Sequence, residues 1–159
     1  MAVWLSSHLR RISVRPTTVR RLTQAVLQQA GYPSANLSLT FVGKTRMQNL
    51  NRTYRQRDYA TDVLAFPMQD ALQSPLAFVG DVVICVPVAL AQASRFGNTA
   101  DEEILRLLIH GTLHLLGYDH ETTEREAKRM KRKEHTIFRR LSPAPRLLAS
   151  RKPWITQLP

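Results

Sequence analysis

Apolar residues recur along this chain in two rhythms, one near four residues and one of two, and the alternation between them lays out the elements in order. Val19, Leu22, Val26 and Leu27 fall at helical spacing behind Thr17-Thr18, a candidate cap, and Gly31-Tyr32-Pro33 ends that first helix. Leu37 to Val42 alternates apolar and polar positions as a half-buried strand does, and Gly43 closes it. Met47, Leu50 and Tyr54 mark one face of a short second helix from Thr45, after which Arg55-Gln56-Arg57-Asp58 is too polar for core and reads as a loop. Val63 to Phe66, stopped by Pro67, and Val79 to Val86 read as strands, with Gln69 to Ala77 connecting them. Pro87 is placed to start a third helix running to Phe96. Asn98 or Thr99 can cap a fourth, whose first-turn acids Asp101, Glu102 and Glu103 suit its positive end. Ile104, Leu105, Leu107, Leu108 and Leu115 make it apolar almost all round, which predicts a central, buried helix stopped by Gly117. Thr123 with Glu126 forms a capping box for a last helix, with Ala127, Met130, Ile137, Phe138 and Leu141 inside and a basic outer face.

Trp4, Leu5, Leu9, Ile12 and Val14 suit an N-terminal strand region, although the acid-free, Arg- and Ser-containing start from Met1 to Arg21 also fits an organellar transit peptide. Counted together these are about four strands and five helices in one domain of the α+β class, over residues 1–141. The segment 142–159 holds four prolines and three basic residues without an acid, and is expected to be an irregular tail. No apolar run approaches the roughly 18 residues that cross a bilayer, so no membrane span is expected.

Charge alters this picture: 23 Lys and Arg stand against 12 Asp and Glu, a formal net charge of +11, and ten basic residues precede the first acid, Asp58. Such a field gathers polyanions, and nucleic acid is the first partner to consider. Cys85, the single cysteine, lies in an apolar run and reads as core rather than nucleophile.

Candidate chemistry gathers in His110-Gly111-Thr112-Leu113-His114-Leu115-Leu116-Gly117-Tyr118-Asp119-His120. Residues four apart share a helix face, so His110 and His114 can offer two ring nitrogens to one ion, and a turn at Gly117 brings His120 back as the third ligand. Three imidazoles suit zinc and leave a position open, as catalytic sites do. Asp119 is a candidate to orient a ligand ring, and Asp81 is read as structural. His8 and His135 read as surface residues. The spacing resembles H-E-x-x-H-x-x-G-x-x-H of the metzincin proteases, but their general-base Glu is here Gly111, which weakens a peptidase reading.

The same residues, HGTLHLLGYDH, resemble the signature of the YbeY family of endoribonucleases, and Asn51 to Asp58, Thr61 to Pro67 and Gly80-Asp81-Val82 follow in that family's order. Ala65 stands where the family usually has Ser. The resemblance implies a small mixed β-sheet with helices packed on it and a single-strand-specific endoribonuclease with one zinc ion on His110, His114 and His120. It implies that the arginine of the Tyr-Arg pair, Arg55, is needed for activity; from spacing alone Arg55 is a solvated loop cation. It further implies maturation of the 3' end of small-subunit rRNA, ribosome quality control, contacts with the small ribosomal subunit or the GTPase Era, and a cytoplasmic setting. Arg57 and the basic face of the last helix are weaker candidates for RNA contacts. Two alternatives remain: a metal-dependent hydrolase of peptides or small molecules, and a non-catalytic ribosome-assembly factor whose metal is structural.

Overall fold

A computed structural model describes residues 2–68 and 78–150; the expected connection from Gln69 to Ala77 and the tail beyond Ser150 lie outside the described residues. The chain runs β1 (Val3–Ser7), β2 (Ile12–Val14), α1 (Pro16–Gln29), β3 (Asn36–Val42), α2 (Lys44–Arg55), β4 (Val63–Pro67), β5 (Phe78–Cys85), α3 (Val86–Phe96), α4 (Ala100–Leu115), α5 (Glu124–Leu141) and β6 (Leu148–Ser150). The strands form one four-stranded sheet in the order β1-β3-β5-β4 and a separate pair, β2 with β6. β1, β3 and β5 are mutually parallel, and β4 runs antiparallel to β5 at the edge, so the expected small mixed sheet is present.

Strand alternation sends side chains to two faces. Leu37, Leu39, Phe41, Val82 and Ile84 join Val19, Val26 and Leu27 of α1, the apolar side of α4, and Met130 and Ile137 of α5 in the main core. Val42, Leu64, Val83 and Cys85 face the other way, under Met47 and Leu50 of α2. Cys85 is therefore fully buried, and burial pushes its thiol pKa up, as a core rather than a reactive cysteine requires.

Most boundaries fall within a residue or two of those expected, and the departures have local causes. Helix α1 starts at Pro16 with no side-chain cap, because proline at the first position lacks only an N–H that would be unpaired anyway. Helix α2 runs one residue into the expected loop, so Arg55 is helical, and the stop is made by Gln56 at φ 56°, ψ 36° instead of by a glycine. Thr99 and Glu102 cap α4 reciprocally. At α5 the Thr123 hydroxyl accepts from the Glu126 N–H, while the Glu126 carboxylate pairs with Arg129.

The segment from Ser142 is irregular to Leu147, as expected, but Leu148 to Ser150 form β6, and for these residues the expectation is corrected. Leu147 is buried in the main core, its N–H donates to Asp101 Oδ1 at 2.8 Å, its carbonyl accepts from the Arg15 N–H at 2.8 Å, and Leu148 to Ser150 pair with β2. One buried leucine and one carboxylate outweigh a composition rich in proline and arginine, because the unpaired backbone groups of β2 need a partner strand.

Candidate metal centre

Helix α4 is the axis of the site. It lies over β4 and β5, and at Gly111 the approach leaves no room for a side chain: a Cβ there would come within 2.8 Å of Val82 Cγ1 and 3.2 Å of Val63 Cγ2. The residue that would carry a peptidase's general base is thus pressed against the sheet, and a glutamate would not fit.

One turn apart on this helix, His110 and His114 bring their Nε2 atoms to 3.1 Å. The helix ends in a left-handed turn: Gly117 sits at φ 94°, its N–H donates to the His114 carbonyl, and the Tyr118 N–H donates to that of Leu113. That reversal carries His120 back over the helix end, with Nδ1 3.1 Å from His114 Nε2. The Arg129 guanidinium of α5 lies 4.7 Å from the Tyr118 ring centre and backs the turn.

These three histidines are the group of side chains among the described residues that could hold a metal ion together. Nitrogens in a tetrahedral zinc site with bonds near 2.0–2.1 Å stand roughly 3.3 Å apart, so separations of 3.1 Å fit one shared ion with little adjustment. Burial, reinforced by the neighbouring imidazoles His110 and His120, holds the His114 pKa below its ordinary value, which favours the neutral, ligating form.

The group that orients His110 within this cluster is Glu134 of α5, which the sequence reading did not pick out. Its Oε1 accepts from His110 Nδ1 at 2.6 Å, which turns the free Nε2 of that ring toward His114. Glu134 follows Met130 by four residues and precedes Ile137 by three, so it shares their inward face, and it is the last acid in a sequence otherwise basic beyond Glu126. Asp119, expected in this role, accepts instead from the main-chain N–H of Glu121 at 2.8 Å and shapes the turn that carries His120. Asp81 accepts from the Ser38 hydroxyl on the neighbouring strand, a structural bond as expected. His8 and His135 are exposed and away from the cluster, as their lack of neighbouring ligands in the sequence suggested.

A cavity of about 580 Å³ opens over the histidines and is also lined by Arg55, Arg57, Tyr59 and the edge strand β4. Arg55 reaches it from the end of α2, on the opposite face of the sheet from α4. Its Nη2 donates to the Ala65 carbonyl at 2.8 Å, and the guanidinium lies 5.7 Å from the centre of the Phe66 ring. Arg55 is exposed but not free: one arm is tied to β4 and the rest of its N–H fork remains for an anion. Arg57 donates to the Tyr59 hydroxyl at 3.4 Å at the same mouth. Two arginines on one wall, Arg55 tied to β4, and three converging imidazoles on another can hold a phosphate group and an ion in one space.

Comparison with known proteins points the same way. The family profile described as Endoribonuclease YbeY matches residues 6–142. Proteins named Endoribonuclease YbeY are similar over most of their length: one from Sulfurihydrogenibium is 40% identical over 124 residues, covering 78% of this chain and 82% of its own. One from Pelotomaculum thermopropionicum is 44% identical over 129 residues, covering 77% and 83%. The solution structure of a Thermotoga maritima protein superposes with a TM-score of 0.61 at 25% identity, over 86% of both chains.

Proposed function

The chain belongs to the YbeY endoribonuclease family, and from that premise we propose that it cuts single-stranded RNA using one zinc ion on His110, His114 and His120 and Arg55 on the scissile phosphate. The observation that carries this reading is the convergence of three imidazoles, with His110 and His120 each presenting a ring nitrogen 3.1 Å from Nε2 of His114, in a cavity that an anchored arginine shares. When bound, such an ion supplies Lewis acidity, polarising a phosphoryl oxygen and making water acidic enough to ionise near neutral pH.

The chain's own residues do the rest. Glu134 holds the His110 proton on Nδ1 and so keeps Nε2 available. Arg55, already fixed on Ala65, meets the phosphate without losing much side-chain freedom and offsets the charge that develops on its oxygens. Phosphoryl transfer asks for positioning and charge stabilisation more than for a carboxylate base, which is consistent with a glycine at 111. Arg57, at the cavity mouth, and the basic face of α5 supply further phosphate contacts.

The substrate proposed is rRNA at the 3' end of the small subunit, with roles in rRNA maturation and ribosome quality control. The small ribosomal subunit and the GTPase Era are the partners that family membership suggests, in the cytoplasm or an organellar matrix. No helix among the described residues is long and apolar enough to cross a membrane. The catalytic domain, expected over residues 1–141, is proposed to extend to Ser150, because Leu147 lies in its core and Leu148 to Ser150 pair with β2. The peptidase alternative loses support from the crowding at Gly111. A purely structural metal would call for a fourth protein ligand, and among the described residues the cluster has three.

The test measures metal content of the purified protein together with cleavage of single-stranded RNA before and after chelation, and in His114→Ala. Stoichiometric zinc, with cleavage lost on chelation and in the variant, is expected. Cleavage that survives both with the ion gone would overturn the proposal. A substrate carrying one deoxyribose at the cut site separates attack by water from attack by the neighbouring 2'-hydroxyl, since only the latter route is blocked.

A further inference from the structure

Resting on the endoribonuclease reading above, we propose that Tyr59 is the stacking surface for a nucleobase next to the phosphate held by Arg55, and that this stack selects unpaired RNA. Among the described residues five large apolar side chains are exposed, and three of them, Tyr54, Tyr59 and Met68, flank the short strand β4 that edges the cavity. Tyr59 lies in the polar loop after α2, which has no need of an exposed ring for its own stability, because the ring leaves apolar surface in water. Tyr54 and Tyr59 bracket Arg55 and Arg57 along the chain and set aromatic side chains next to cations, the pattern that single-stranded nucleic acid fits.

Tyr59 is the member of this group that lines the cavity itself. The residue is 50% exposed, yet it has a partner at both ends. The buried Asn51 of α2 donates from Nδ2 to the Tyr59 carbonyl at 2.9 Å, and Arg57 donates to the hydroxyl. The main-chain bond from Asn51 fixes where the ring emerges, so less freedom is lost when a base lies on it. The neighbouring Tyr54 ring packs edge-on against Phe66 at 5.2 Å between centres, and Phe66 in turn lies under Arg55, so the aromatic surface continues from the phosphate site outward. A base can reach Tyr59 only when it is out of its own helix. The paired bases of an A-form duplex are stacked on one another and present ribose and phosphate instead.

The experiment compares the zinc-loaded wild type with Tyr59→Ala and Tyr59→Phe. It measures binding and KM for a short single-stranded oligoribonucleotide and for the same sequence as a blunt duplex, with 2-aminopurine placed beside the cut site. In wild type the 2-aminopurine fluorescence is expected to be quenched on binding. Tyr59→Ala should lose the quench and bind the single strand about 5–150-fold more weakly, with little change for the duplex. Tyr59→Phe, which keeps the ring and drops the hydroxyl, should stay within about twofold of wild type. The inference is overturned if Tyr59→Ala binds and quenches like wild type, or if Tyr59→Phe is as weak as Tyr59→Ala. If the wild type neither binds nor cuts the single strand, the endoribonuclease reading falls first and takes this one with it.

Discussion

Glu134 gives the sharpest test of how the fold tunes its ligands. Replacing it with Ala removes both the acceptor that orients His110 and a negative charge close to the ion; replacing it with Gln keeps an acceptor oxygen and removes only the charge. The bond is short, 2.6 Å, and both partners are largely shielded, with side chains 31% and 24% exposed, so solvent does not replace it cheaply. Loss of such a carboxylate behind a ligand histidine weakens metal binding about 10–100-fold, or roughly 1.4–2.7 kcal/mol. A charge-assisted bond is worth about twice a neutral one, so Glu134→Gln should lose about half of that free energy, roughly 3–10-fold in affinity. The assay is competition for zinc against a chromophoric chelator at fixed pH, with circular dichroism to establish that each variant is folded. The expected order of affinity is wild type, then Gln, then Ala. Zinc held as tightly by Glu134→Ala as by wild type would refute the reasoning. Equal losses in both variants would assign the effect to charge and remove orientation from it.

Arg55→Ala should slow RNA cleavage about 10²–10³-fold while zinc content stays at wild-type level, as read by single-turnover kinetics and metal analysis, and Arg55→Lys should recover only part of the loss. A wild-type rate in Arg55→Ala would return Arg55 to the solvent. The lowered His114 pKa carries a sign: as pH falls below the ordinary value of 6.5 the unfolded chain takes up a proton before the folded one does. The metal-free protein should therefore lose stability from about pH 6.5 downward until the folded pKa is passed, and His114→Asn should flatten that part of a melting-temperature profile. An unchanged slope in the variant would place the titration elsewhere. Gly111→Ala gains up to about 1 kcal/mol of helix propensity but must displace Val82 in a packed interface, at a cost of about 1–3 kcal/mol. A lowered denaturation midpoint is expected, and a raised one would show that α4 can lift from the sheet freely.

The histidine cluster was legible because its geometry is local: a four-residue spacing on a helix and a glycine at its end suffice, and neither depends on the rest of the chain. The strands and helices were legible for the same reason, since each carries its own period. Glu134 was not, because it meets His110 from 24 positions away and stands among arginines and lysines that read as a solvated face. Its inward spacing with Met130 and Ile137 was the available signal. Arg55 was read as a loop cation because its helix stops at Gln56 in a left-handed conformation, which the sequence marks with neither Gly nor Asn. The ordered stretch after α5 was hidden too, since one buried leucine does not show in a composition.

Two of the proposed ligand rings need only one helix, whereas Arg55 arrives at the cavity from the far side of the sheet and finds its place on a carbonyl of the last strand in the row. Holding an ion and meeting a polyanion therefore draw on different parts of the fold: the three histidines depend on α4 and the turn after it, whereas the placing of Arg55 depends on the edge strand β4.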